Sequence, residues 1–324
     1  MSPDRPLPQF DDVLDAAARI VPHARVTPVL RSPALDRLAG CELVFKLEGQ
    51  QRGGAFKFRG ACNAVFSLEA ATAAHGVVTH SSGNHGAALA LAARLRGIPC
   101  HVVAPEGAVG RKLARIVEQG AMLHRCAPTL AAREAACAQV QAANGAVLVH
   151  PYEDPAVIAG QGTVALELLA QAPALEAVVV PVGGGGLASG TALMRVRRYI
   201  ESRLADPGLD PADIATQCAV SRSSLYRLFS SHGGVAGYIQ ERRLLRAFAR
   251  LSSLQPSSTI AMVAHQCGFS SEAHFSRRFR HRFGCSPSEL RAGARAGVGG
   301  ATDSPVAQIL ADNAFKTWVS GLSA

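Results

Sequence analysis

The sequence predicts an α/β fold followed by an all-α segment built on two helix-turn-helix units. Three observations carry this. Up to residue 194, short apolar runs alternate with alanine-rich helical stretches. From Arg195 to Arg295, helical signals follow one another with almost no strand signal. Charge divides along the same line: residues 1–194 hold 16 basic and 15 acidic side chains, residues 195–292 hold 15 and 7, and residues 293–324 hold two of each. At 324 residues and 48% apolar, the chain is long enough for two domains with real cores.

The elements follow in order. "ELVFKLE" (42–48), "GVVTHSSG" (76–83), "CHVVAPEG" (100–107), "AMLHRCAP" (121–128), "AVLVHPYE" (146–153) and "AVVVPVGGGG" (177–186) read as strands. Between them "NHGAALALAARLRG", "VGRKLARIVEQG", "TLAAREAACAQVQAANG" and "AGQGTVALELLAQAP" read as helices. That alternation predicts a parallel sheet covered on both faces, with ligands at the carboxyl ends of its strands. After "GGGGLASGTALM" helices are expected over 195–205, 211–219, 221–231, 235–253, 259–267, 271–283 and 287–295. "AGVGGATDSP" (296–305) has a linker's composition. The tail beyond it places Ser304 and Pro305 at a helix start, with Val306, Ile309, Leu310 and Trp318 on one apolar face. Three segments result: 1–194, 195–295 and 296–324.

Several classes are excluded. No apolar run approaches the ~20 residues needed to cross a bilayer. "MSPDRPLPQFDD" lacks the basic-then-apolar build of a signal peptide, so a cytoplasmic protein without membrane contact is expected. The eight cysteines are scattered with no CxxC pair, which argues against a disulfide framework and a metal site. The excess of +8 in residues 195–292 predicts a polyanion partner for that segment alone.

Two kinds of motif carry chemistry. The chain has 29 arginines and only four lysines, yet "GGAFKFRGACNAV" (53–65) sets Lys57 between two phenylalanines after a glycine pair. A lysine held still and partly desolvated is a nucleophile suited to imine formation. "SSGNHG" (81–86) ends a strand and opens a helix, leaving backbone N–H groups free for an anion. "GGGG" (183–186) follows an apolar run and lets the backbone wrap a phosphate. Lysine, serine–glycine–asparagine loop and tetraglycine loop in this order say more than any one alone.

On those residues, 14 to about 194 resemble the start of a fold-type-II pyridoxal-phosphate enzyme of the serine/threonine dehydratase and serine racemase group. The stretches that match are "RVTPVLRSPALDRLAG", "FKLEGQQRGGAFKFRGACNAV", "SSGNHGAALALAARLRGIPCHVVAPEGA", "HPYEDPAVIAGQGTVALEL" and "VVVPVGGGGLASG". The resemblance implies a partial fold-type-II fold with pyridoxal 5'-phosphate attached to Lys57. By it, Asn84 would bond the cofactor's phenolic oxygen and Gly183, Gly184, Gly185 and Gly186 would cradle the phosphate. Ser81, Ser82, Gly83 and His85 would hold the carboxylate of a small amino acid. Lys57 and Ser82 would act as acid/base groups on opposite faces. Ala55 stands where the family often has serine. Past "GGGGLASGTALM" the family continues with further strands and helices, and this chain does not. Weak cofactor binding is therefore expected.

In "PADIATQCAVSRSSLYRLFSSHGG" (211–234), Ile214, Ala215, Cys218, Val220, Leu225, Leu228 and Phe229 form two apolar stripes joined by a short turn, which is helix-turn-helix spacing. "TIAMVAHQCGFSSEAHFSRRFRHRFGCSP" (259–287) repeats the pattern. With its closing run "VAHQCGFSSEAHFSRRFRHRFGCSPSELR", segment 195–295 resembles the DNA-binding domain of the AraC-type transcription regulators, with Leu290 where an aromatic is usual. By matching positions, Arg222, Ser223, Tyr226 and Arg227 would face one major groove of duplex DNA, and Glu272, Ser276 and Arg277 the next.

Three functions are in view. One is a sequence-specific DNA-binding transcription regulator with a pyridoxal-phosphate-enzyme-derived module. The second is an amino-acid dehydratase or racemase with an appended helical domain. The third is a fusion in which one half is passive. A truncated sheet would expose apolar surface, to be covered by the tail or by a second copy in a homodimer.

Overall fold

The computed structural model describes residues 7–252 and 258–296. The linker and tail expected over 296–324 lie outside the described residues, apart from Ala296 itself. Contacts divide the chain into two compact units, one ending at Arg195 and the other beginning at Val196.

In chain order the first unit runs α1 (Phe10–Ile20), β1 (Val29–Arg31), α2 (Pro33–Ala39), β2 (Val44–Lys46), α3 (Lys57–Phe66), α4 (Ala70–Ala73), β3 (Val77–His80), α5 (Asn84–Arg96), β4 (Cys100–Pro105), α6 (Gly110–Glu118), β5 (Met122–Cys126), α7 (Leu130–Asn144), β6 (Val147–Leu148) and α8 (Pro155–Gln171). α9 (Gly186–Ser202) contains the boundary between the units. β1 and β2 pair antiparallel.

The other four strands form one parallel sheet in the order β5-β4-β3-β6. The chain builds outward from β3 through β4 to β5. α7 then carries it back, so that β6 pairs with the free side of β3. The direction of winding reverses between β3 and β6, and in sheets of this kind ligands bind in the crevice outside the strands' carboxyl ends at such a reversal. One face of the sheet packs Val77, Cys100, Val102 and Ala104 with residues of α3 and α5, and the other packs Val78 and Val103 against Cys137 and Val140 of α7. Burial on both faces is why these strands read as continuous apolar runs.

α3 and α8 cross closely because glycines meet backbone. A Cβ on Gly60 would lie 2.6 Å from the Val157 carbonyl oxygen, and one on Gly160 would lie 2.5 Å from that of Arg59. The crossing is locked by ions. Arg59 has no exposed surface, and its guanidinium donates to Glu48 at 2.9 and 2.8 Å and to Glu167 at 2.7 and 2.8 Å. Lys46 Nζ adds a bond to Glu167 at 2.7 Å. Burial works against ionisation of Glu167, but the bonds from Arg59 and Lys46 outweigh it and hold the carboxyl below its usual pKa.

The strand expected over 177–182 does not form. Val179 is 96% exposed and Val182 is 72% exposed. A strand needs a neighbour for its N–H and C=O groups. Among the described residues no strand follows β6, and none pairs with this segment. The strand expected over 146–153 shrinks to β6, and the rest of that run becomes the loop below the crevice.

The second unit continues with α10 (Pro211–Gln217), α11 (Arg222–Leu228), α12 (Gly234–Ser252), α13 (Ile260–Gln266), α14 (Glu272–Phe283) and α15 (Pro287–Ala296). Four helices start on side-chain caps: Asp210, Ser221, Thr259 and Ser271 each accept a backbone N–H from the first turn. Each such cap is worth about 1 kcal/mol. Phe248 and Leu251 of α12 pack with Val263, Phe269, Phe275, Phe279 and Leu290 in one core. The two helix-turn-helix turns share a pattern. Cys218 and Cys267 end their first helices, and the next residue takes a left-handed backbone, Ala219 at φ 50 and Gly268 at φ 85.

Candidate functional site

In the first unit Lys57 opens α3 just after Gly53 and Gly54, both at φ 72. Its Nζ donates to the Pro151 carbonyl at 2.8 Å and stands 5.2 Å from the centroid of the Phe56 ring. Burial pushes its pKa down to about 8, so about a tenth of the amine is uncharged at pH 7, far more than for an exposed lysine. Pro151 lies in the loop after β6, at the crevice.

His85, in the first turn of α5, reaches the same loop. Its Nε2 lies 3.4 Å from the Val149 carbonyl, and its Nδ1 is buried without a partner. Burial first, and the charge of Lys57 second, lower its pKa to about 3, so the ring is neutral. The tetraglycine loop arrives from the other side. Gly184 sits so close to Tyr152 that a Cβ would lie 2.1 Å from the ring. Lys57, His85 and Gly184 thus converge on residues 149–152, though they are distant in sequence.

The remaining expected residues fall as follows. Ser81, Ser82 and Gly83 are half-buried, and Ser81 Oγ accepts the Gly83 N–H at 3.3 Å. Asn84 is exposed at the start of α5, and its side chain makes no hydrogen bond among the described residues. Gly183 and Gly185 have no neighbour within 4 Å of an added Cβ, and Gly185 has φ 88. Gly186 is buried, with its Cβ position 2.7 Å from Gln161 Oε1. Gln161 itself has no exposed surface, and neither end of its amide has a partner.

Sequence reasoning gave no role to Gln161, Tyr152, His80 or His150. The His150 ring stands edge-on to His80 at 5.0 Å and to Tyr152 at 4.6 Å. They line up only because β6 joins β3; the signal available was their place just after an apolar run. A cavity of about 470 Å³ lined by Arg25, Thr27, Gln51 and Gly54, among others, includes neither Lys57 nor the glycine loops.

In the second unit Arg222, Ser223, Tyr226 and Arg227 are exposed along one side of α11. On α14, Glu272 and Arg277 are exposed and Ser276 is half-buried. Ser223 Oγ lies 3.0 Å from Ser221 Oγ, within the cap of α11. Arg280 pairs with Glu289 at 3.4 Å and Arg282 with Glu241 at 2.8 Å. Arg222, Arg227, Arg277 and Arg278 are exposed and have no carboxylate partner among the described residues. Four unneutralised guanidinium groups on two helix-turn-helix second helices suit an anionic surface.

The first unit has the parallel sheet, switch-point crevice, lysine and glycine loops of a pyridoxal-phosphate enzyme; the second is a pair of helix-turn-helix motifs. Comparison makes this specific. The family model described as "Pyridoxal-phosphate dependent enzyme" matches residues 20–218, and the chain belongs to that family. A "Helix-turn-helix domain" model matches residues 202–293, and this module is of the AraC type. The chain is 49% identical over 209 residues to beta-hydroxyaspartate dehydratase of Paracoccus denitrificans, covering 64% of this chain and 66% of that one. It is 51% identical over 181 residues to serine racemase of Arabidopsis thaliana, covering 56% and 55%. The structure of maize serine racemase superposes with a TM-score of 0.57 at 46% identity, covering 57% of this chain and 56% of that one. The chain spans between half and two thirds of the length of these relatives.

The residues present fit pyridoxal phosphate. The amide of Gln161 and Nδ1 of His85 are buried donors or acceptors with nothing to bond, and such groups cost about 1–3 kcal/mol each. They adjoin a half-buried amine and a glycine loop with open space before two of its residues.

Proposed function

We propose that this protein is a sequence-specific DNA-binding transcription regulator whose N-terminal unit derives from a pyridoxal-phosphate enzyme. One observation supports it above the others. The second unit holds two helix-turn-helix motifs whose second helices both present exposed arginines with no carboxylate partner among the described residues, whereas segment 177–182 of the enzyme-like unit pairs with no strand there. In this reading the domains are 1–194, 195–295 and 296–324, and duplex DNA is the partner of 195–295. Arg222, Ser223, Tyr226 and Arg227 read one major groove, and Glu272, Ser276 and Arg277 the next. Hydroxyl-radical footprinting of a selected site tests this. Two protected stretches about 10 base pairs apart are expected, and a single short patch would reject the double reading.

A second reading, an amino-acid ammonia-lyase or racemase, is favoured by the convergence of Lys57, His85 and Gly184. Lys57 would hold the cofactor covalently, Gly183 to Gly186 its phosphate, and Asn84 its ring oxygen. When bound, the cofactor supplies an electron sink for charge developing at an amino acid's α-carbon. Ser81, Ser82 and the Gly83 N–H would hold the substrate carboxylate, beside the neutral His85. Lys57 Nζ, uncharged above about pH 8, would take a proton on one face, and Ser82 Oγ would serve the other. Borohydride reduction in the presence of cofactor should label Lys57 alone, and serine turnover comparable to that of full-length racemases would make this reading the leading one.

A further inference from the structure

Three groups with a role toward the cofactor or its substrate already touch one short segment, 149–152, the loop that follows β6. Lys57 Nζ donates to the Pro151 carbonyl at 2.8 Å. His85 Nε2 lies 3.4 Å from the Val149 carbonyl. The Tyr152 ring packs on Gly184 so tightly that a Cβ on this glycine would collide with the ring's Cγ and both Cδ carbons. The Tyr152 backbone extends that contact. Its Cα and its carbonyl oxygen both stand 3.4 Å from the Cβ position of Gly186, the first residue of α9.

The segment is pinned at its ends and lightly held in its middle. Upstream, the Val149 N–H donates to the Val78 carbonyl at 2.8 Å and prolongs the pairing of β6 with β3. Downstream, the Glu153 N–H donates to His150 Nδ1 at 3.1 Å, and Asp154 caps α8. Pro151 has no N–H to give. Among the described residues Tyr152 makes no hydrogen bond. What holds these two is the bond from Lys57 and the packing on Gly184, so they can release without unmaking β6 or α8.

Cofactor attachment takes one of those holds away. The neutral amine adds to the cofactor's aldehyde carbon, the aldehyde oxygen leaves as water with both amine hydrogens, and Nζ keeps no N–H for Pro151. A phosphate wrapped by the glycine loop needs that backbone to close around it, and the ring braces the loop at Gly184.

We propose that residues 149–152 form a strap that competes with pyridoxal phosphate for Lys57 and the glycine loop, and that Tyr152 is the positioning residue that sets how tightly the cofactor is held. Loading then requires that Pro151 leave Lys57 and the ring leave Gly184. The observed affinity is the intrinsic one reduced by the fraction of chains with the strap released.

The inference rests on the cofactor fit and not on DNA binding. Equilibrium dialysis of the full chain measures retention of pyridoxal phosphate and of pyridoxal, which lacks the phosphate. Tyr152→Ala should tighten pyridoxal phosphate about tenfold, the scale of one aromatic contact. Pyridoxal makes no call on the glycine loop and should gain less. Tyr152→Phe keeps the ring and should bind as the native chain does. Hydrogen exchange of the native chain needs no variant: adding pyridoxal phosphate should speed exchange at Tyr152 and Glu153. Each of four results would overturn the strap: weaker binding by Tyr152→Ala, a Tyr152→Phe that behaves like the alanine variant, an equal gain for pyridoxal, or exchange at these two residues that slows or does not change. If neither the native chain nor Tyr152→Ala retains pyridoxal phosphate, the cofactor site falls and the strap with it. If both retain it equally, the strap falls and the site stands.

Discussion

Ala219 and Gly268 occupy the same place in the two helix-turn-helix turns, and opposite substitutions there should have opposite effects. Ala219 has φ 50, where an L-residue with a Cβ is strained, and it is exposed. The left-handed region costs such a residue about 1–2 kcal/mol. Glycine removes that strain and loses about 0.5–1 kcal/mol of unfolded-state entropy. Ala219→Gly should therefore stabilise the second unit by about 0.5–1 kcal/mol, a rise of a few degrees in Tm for a domain of this size. Gly268 has φ 85, and a Cβ there would lie 2.4 Å from the Leu204 carbonyl and 2.7 Å from Arg243 Nε. Gly268→Ala adds overpacking to strain and should cost about 2–4 kcal/mol. Thermal unfolding followed by circular dichroism, with hydrogen exchange to localise the change, measures both. A neutral Gly268→Ala, or an Ala219→Gly that destabilises, would refute the reasoning.

Other consequences are as direct. With its pKa lowered to about 8, Lys57 should react with aldehydes at neutral pH ahead of the other lysines, its rate rising through pH 8 and levelling above it; Lys57→Ala should remove that site from the peptide map. The unfolded lysine binds its proton up to about pH 10.4, so this group's burial penalty is lifted and stability gained as pH rises from about 8 towards that value. Cys62 and Cys100 are pushed up to about 12 by burial, so a thiol reagent should reach exposed Cys41 first and leave those two until the unit unfolds. Arg59→Ala strips the guanidinium from between Glu48 and Glu167, leaving Glu48 only the Thr27 hydroxyl and Glu167 only Lys46, and should cost about 3–5 kcal/mol in denaturant titration. Arg277→Ala should weaken specific DNA binding by about 1–3 kcal/mol and relax preference at one base pair, whereas Arg280→Ala, already paired with Glu289, should do less.

The parts of the fold that the sequence made legible are those set by local physics. β3 and β4 are largely apolar, buried runs, and the helices after β3, β4 and β5 stop at Gly97, Gly120 and Gly145, all at positive φ. The caps Asp210, Ser221, Thr259 and Ser271 stand where the helical pattern of the second unit begins. The segment 177–182 was misread because an apolar run is a strand only when a neighbour pairs with it, and the neighbour lies in no local pattern. The site divides the same way. Lys57 and the glycine loops announce themselves by composition. Gln161, Tyr152 and His150 gain meaning only when α7 returns the chain to put β6 beside β3, a long-range event with no local trace.

The central claim is that the second unit reads DNA. Fluorescence anisotropy of the full chain on a sequence chosen by in vitro selection, against a scrambled duplex over a range of salt, tests it most directly. The account predicts that log Kd rises linearly with log salt at about 0.9 per phosphate contacted, and that the selected duplex binds at least ~10³-fold more tightly than the scrambled one. Binding that ignores salt, or that holds both duplexes equally, would contradict it.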